Sequence, residues 1–215
     1  MAKGTRFGEI HSNTDMHLIQ QSCEVGTAVP KTSSLDVPGM DGSYDTTEVL
    51  DGVKFKNRSI EWTFALYPGM NWEQTKSNVS NLIDGKRMRI TLDDDPDYFY
   101  DGRITVKKYK SSNVLKQITV TADCKPYKYK RTETVVTGTL STSEKEFILP
   151  NDYMPLHPEI TVDVNTSFSI GDVTFALTPG THIVLALTLQ SGNNVLRAKG
   201  ESAGSITVKY REGSL

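Results

Sequence analysis

Apolar and polar residues alternate with period two through four stretches of the first half of the chain. They are VKFKNRSIEWTFALY (53–67), KRMRITL (86–92), YFYDGRITVKKYK (98–110) and LKQITVTADC (115–124). Alternation of this kind, rich in β-branched and aromatic residues, predicts strands with one face turned to a core. Between the first two the period changes. In MNWEQTKSNVSNLIDGKR, Trp72, Lys76, Val79, Leu82 and Ile83 fall on one side at helical spacing, which predicts a helix over about 72–84. Asn71 is placed to cap its first turn, with Gln74 three residues on, and Gly85 to end it in a left-handed conformation. The first half therefore reads as a sheet carrying one helix.

Ahead of this sheet, VPKTSSLDVPGMDGSYDTTEV (29–49) holds two prolines and two glycines and few large apolar groups. It predicts a long loop or projecting arm, of the sort that usually has a partner. After Cys124 a polar, Lys-rich stretch leads into strands with no helix among them. KEFILP, PEITVDV, SFSI, DVTFALTPG, HIVLALTLQSG, NVLRAKG and SITVKYREG are short runs at sandwich or barrel spacing, and SGNN (191–194) reads as a hairpin turn. The boundary is placed near Arg131 to Thr134, which gives a first domain at 1–132 and an all-β second domain at 133–215.

Charge narrows the function classes. The net charge is −2 and both signs are mixed along the chain, so the basic footprint of general nucleic-acid binding is missing. The opening MAKGTRFGEIHSNTDMH lacks the apolar run of a signal peptide, and no stretch approaches the ~20 apolar residues of a membrane span. These features predict a protein that folds in a cytoplasm. Its two cysteines, Cys23 and Cys124, are then expected to be separate thiols.

Candidate chemistry is sparse. Gly200-Glu201-Ser202-Ala203-Gly204 matches the GxSxG nucleophile elbow, but that elbow needs a helix after the Ser and a later His. Here a strand and the end of the sequence follow, so a Gly-bounded hairpin turn is expected. The histidines His11, His17, His157 and His182 share no metal-ligand spacing, and no phosphate-binding glycine loop is present. No catalytic residue, metal site or cofactor is expected.

DDDPDYFYDGR (93–103) concentrates five carboxylates and three aromatic rings. As a calcium loop it fails at the sixth position, Tyr98 where Gly is required, and at the twelfth, Ile104 where Glu belongs. Asp and Pro suit a turn between strands, after which Tyr98 and Tyr100 share one face and Phe99 takes the other.

VPGMDGSYD, GVKFKNRSIEWTFAL, a helix ending LIDGK, DDDPDYFYDGRI and CKPYKY resemble, in that order, the N-terminal domain of siphophage distal tail proteins. The final ITVKYREGSL is similar to the family's last strand. The resemblance implies a mainly β protein: a tail-tube-like, ring-forming domain followed by a galectin-like β-sandwich. It implies a homohexamer, able to stack as two rings in isolation, at a phage or phage-like tail tip. The ring joins the tail tube to the tail-associated hub or lysin protein, and DNA passes its channel without specific binding. Such a protein is a non-enzymatic virion component assembled in the host cytoplasm, with no membrane insertion. Candidate interface or structural residues are Pro38, Gly39, Asp41, Gly42, Asp95, Pro96, Tyr98, Tyr100 and Arg103, with Arg103 pairing a carboxylate in its own chain or a neighbour's. The alternative is a sandwich module that recognises cell-wall polysaccharide through His182, Asn193, Asn194 and Arg197. Both tryptophans, Trp62 and Trp72, lie outside that module.

Overall fold

Ile60, Trp62 and Phe64 alternate with exposed Ser59 and Glu61 along β6 (Arg58–Leu66), and all three are fully buried. A half-buried strand of this pattern needs partners on both edges and a lid on its apolar face. A computed structural model describes residues 3–49, 52–112 and 115–215 and shows both. The chain divides into two compact units, Met1–Lys128 and Tyr129–Leu215.

In the first unit the strands preceding β6 are β1 (Thr5–Phe7), β2 (Ile10–His11), β3 (Leu18–Val25), β4 (Ser34–Leu35) and β5 (Tyr44–Asp45). After β6 come α1 (Trp72–Ile83), β7 (Arg87–Leu92), β8 (Tyr98–Ser111) and β9 (Lys116–Cys124). The main sheet runs β2-β1-β7-β8-β9-β6-β3 with antiparallel neighbours, and β4 and β5 pair as a separate two-stranded sheet. The mainly β class and the single helix of the described residues agree with the sequence reading. The strands at 5–25 are additional to it.

Trp62 is the centre of the core and meets Phe7 edge-on at 5.3 Å between centroids. The helix covers this core with Thr75, Val79 and Ile83, which are buried, while Trp72, Leu82 and Lys76 are half-buried. Asn71 Oδ1 accepts the Gln74 N–H at 3.0 Å, satisfying one orphan donor of the first turn. Gly85 ends the helix at φ +72°, and its N–H donates to Ile104 O at 2.9 Å, tying the turn to β8. Cys23 and Cys124 are free thiols, and burial pushes Cys124 up to about 12.

β10 (Lys128–Lys130) carries the chain into the second unit. There β11 (Thr134–Leu140), β12 (Lys145–Asn151), β13 (Glu159–Val162), β14 (Thr166–Ile170) and β15 (Val173–Leu177) are followed by β16 (Gly180–Ile183), β17 (Gly192–Gly200), β18 (Gly204–Tyr210) and β19 (Gly213–Ser214). Two four-stranded antiparallel sheets, β11-β18-β13-β16 and β12-β17-β14-β15, enclose a second core that includes Leu149, Ile160, Leu196 and Val208. The unit's last residues are held by Glu212, which is 4% exposed. Its carboxylate accepts from the Thr134 hydroxyl at 2.5 Å and the Asp152 N–H at 2.9 Å, with Lys130 Nζ at 3.1 Å.

Three local expectations are corrected. Gly192, Asn193 and Asn194 lie inside β17, opposite Asn151, Pro150 and Leu149, and do not form a hairpin turn. The apolar run after Ile183 leaves the sheet: residues 184–188 are irregular, and Leu187 and Leu189 are buried. The GESAG turn joins β17 of one sheet to β18 of the other, so it is a crossover between sheets, not a hairpin.

Candidate assembly site

Two features of the first unit hold the residues singled out in the sequence. One is the turn between β7 and β8. Asp95 N–H donates to Leu92 O at 3.0 Å, and Tyr98 N–H to Asp95 O at 3.3 Å, closing the turn around Pro96. Four of its carboxylates have separate cationic or amide partners. Asp93 accepts from Gly4 N–H at 2.7 Å with His11 Nε2 at 3.2 Å, and Asp94 pairs Lys3 at 2.6 Å. Asp95 holds Lys128 Nζ at 2.7 Å, and Asp101 takes Arg87 through both carboxylate oxygens at 2.8 Å. These bonds to Arg87 hold the Asp101 carboxyl below the usual carboxylate range. The hydrogen bond that Lys128 donates to Asp95 raises the lysine above its ordinary value.

The aromatic triplet divides between faces. Tyr100 is 6% exposed in the core, with the Arg58 guanidinium 5.7 Å from its ring centroid. Tyr98 is half-buried on the same side of β8, with Lys128 Nζ 4.4 Å from its ring. Phe99 points the other way and is equally buried, beneath Arg89 at 4.8 Å. Arg103 is exposed and donates from Nη1 to Gly85 O at 2.6 Å; no carboxylate of the described residues pairs with it.

The second feature is the arm. Lys31 N–H donates to Lys54 O at 2.7 Å and Lys56 N–H to Val29 O at 2.8 Å, so the arm leaves from paired backbone beside residues 54–56. The β4–β5 hairpin then extends it, pinned by Thr46 N–H to Ser33 O at 2.9 Å. Pro38, Gly39, Asp41 and Gly42 lie in the exposed loop between these strands, with Gly39 at φ +86° and Gly42 at φ +76°. Both conformations are costly for any residue with a Cβ. Leu35, Val37, Met40 and Tyr44 are exposed by 57%, 42%, 45% and 61%. Apolar side chains so concentrated on an exposed two-stranded ribbon make the arm a candidate contact surface.

The outward face of the central strands is different in kind. β6 presents Ser59, Glu61 and Thr63, and β9 presents Thr119, Thr121 and Asp123 opposite them. These six positions carry hydroxyls and carboxylates and no basic group.

The residues of the polysaccharide alternative do not share one sheet. His182 is on β16, with Nε2 2.9 Å from Thr178 O, whereas Asn193, Asn194 and Arg197 are on β17 of the opposite sheet. Asn194 Nδ2 donates to Gln190 O at 2.8 Å, and Arg197 Nε donates to Glu146 at 2.9 Å, so both side chains are engaged within the chain. At the GESAG turn, Glu201 accepts from Asn165 Nδ2 at 2.9 Å and its N–H donates to Asn165 O, which makes the motif a structural link.

The fold so defined, a sheet with one covering helix followed by a two-sheet β unit, is shared by a solved structure along the whole chain. The Dit protein of SPP1, described as a paradigm of the hub adsorption apparatus in phages that infect Gram-positive hosts, superposes with a TM-score of 0.67. The match covers 100% of both chains at 15% sequence identity. No protein-family model and no curated protein matches the chain.

Proposed function

We propose that this protein is a non-enzymatic structural hub of a phage tail tip or a related tail-like particle. Six copies form a ring that joins the tail tube to the tail-associated hub or lysin protein, with a channel for DNA. In this reading the first unit is the tail-tube-like, ring-forming part and the second is galectin-like. The observation that carries it is the likeness to the SPP1 hub protein over the whole of both chains. Two features of the chain support it. A head-to-tail ring needs two different complementary surfaces on each copy, and the exposed apolar arm supplies one. The outward faces of β6 and β9 carry no Lys or Arg, whereas β8 beside them bears Arg103, Lys108 and Lys110 on the same side, so it is the β6 and β9 stretch that suits a channel wall that DNA passes without adhering, since phosphate is held by basic groups. Negative-stain electron microscopy of the purified protein tests the reading: it predicts rings of six with an open centre, and compact single copies at every concentration would refute it.

A further inference from the structure

We infer that the arm of one copy docks on the lysine-bearing β8–β9 hairpin of a second copy. This rests on the ring reading and specifies its subunit contact. Between residues 29 and 49 the chain carries Asp36, Asp41, Asp45 and Glu48 against one base, Lys31. All four acids are exposed, and among the described residues none has a cationic partner; Asp45 bonds only to Thr47. The complementary cluster lies in the same unit. β8 outruns β7, which pairs with it only over residues 100–103, and the free length carries Lys107, Lys108 and Lys110, with Lys116 across the hairpin opposite Ser111. None of these four lysines forms an ion pair among the described residues.

Lys108 and Lys110 share the face of Thr119 and Gln117, and Lys116 lies on the other face opposite Ser111, so the hairpin end is positive on both sides and the acidic arm is the charge that relieves it. The apolar component agrees. A ribbon whose strands have two residues each is marginal alone, and it exposes Leu35, Val37, Met40 and Tyr44. The receiving hairpin offers Leu115, 39% exposed, and the aliphatic stems of its lysines, which cover apolar groups while their ammonium heads stay wet. A second copy is the occupant because one chain carries both halves of the match on different surfaces, the arrangement that lets identical subunits join head-to-tail. The register break between Val106 and Lys108 places Lys107 at a β-bulge, which discourages plain edge-to-edge strand pairing and leaves the contact to side chains.

Charge reversal tests this. One variant carries K107E, K108E, K110E and K116E; the other carries D36K, D41K, D45K and E48K. Size-exclusion chromatography with light scattering, with circular dichroism on each sample, is expected to show assembled wild type and two folded, unassembled variants. An equimolar mixture of the variants should regain assembly, because each acidic surface then meets a basic one, a rescue that misfolding cannot imitate. If the reversed lysine set fails to fold, the neutral Lys→Gln set should raise the concentration for half-assembly about tenfold. Wild type and both variants all assembled, or a mixture that stays unassembled, would overturn the docking and leave the ring standing. So would lysine variants that lose only retention on DNA. A wild type that never assembles would remove the ring reading and the docking together.

Discussion

Lys128 Nζ lies 2.7 Å from Asp95 Oδ2 and 4.4 Å from the centroid of the Tyr98 ring, so one ammonium group clamps the middle of the β7–β8 turn to the start of β8. The two side chains are only 24% and 32% exposed. The pair is therefore screened less than a surface ion pair, and about 1 kcal/mol of coupling is expected. A double-mutant cycle of Lys128→Ala and Asp95→Ala in urea measures it. Lys128 is raised in the folded state, so its contribution is fully present below the ordinary lysine value and is lost as pH rises through the folded one. The coupling should therefore be unchanged between pH 6 and 8, and independence of the two substitutions would contradict the clamp.

Tyr100 separates the structural account of the acidic turn from a metal-binding one. Tyr100→Ala opens a cavity in the core and should cost about 3 kcal/mol, with Tyr98→Ala well below that because Tyr98 is half-buried. Thermal melts report both. Calcium added to wild type should leave the melting temperature unchanged, and a calcium-dependent rise would revive the metal site.

Asp101 gives the turn its pH dependence. Its carboxyl is held low chiefly by the hydrogen bonds from Arg87, with Lys125 adding to them. A depressed acid contributes stability above its unfolded value of about 3.9 and loses it as pH falls through the folded value. Asp101→Asn should therefore cost about 1 kcal/mol at neutral pH, and the deficit should shrink as the pH falls from the unfolded value through the lower folded one. Urea midpoints across that pH range decide it, and a constant deficit would assign the cost to packing.

How far the sequence reaches depends on whether its signal is local. The helix was readable because Asn71, Gln74 and Gly85 are spaced to cap and end it. β6 to β9 were readable because their alternation puts one face in the core, as Ile60, Trp62 and Phe64 show. β1 has three residues and β2 two, too few for any period to register. The run after Ile183 misleads because irregular backbone can also bury alternate apolar groups, here Leu187 and Leu189. The GESAG turn has hairpin composition, yet β17 and β18 pair in different sheets, and pairing is a long-range choice that adjacent residues do not encode. The candidate site divides in the same way. Prolines and glycines announced the arm, whereas the partners Asp95 and Lys128 stand 33 positions apart, and the acid at 212 gives no local sign of its burial.

The mass of the purified protein in solution tests the central claim most directly. Light scattering after size exclusion is predicted to give six times the 23.9 kDa chain, or a multiple of six. A monodisperse species at the mass of one chain that binds cell-wall glycans would contradict the hub and favour a sugar-binding module.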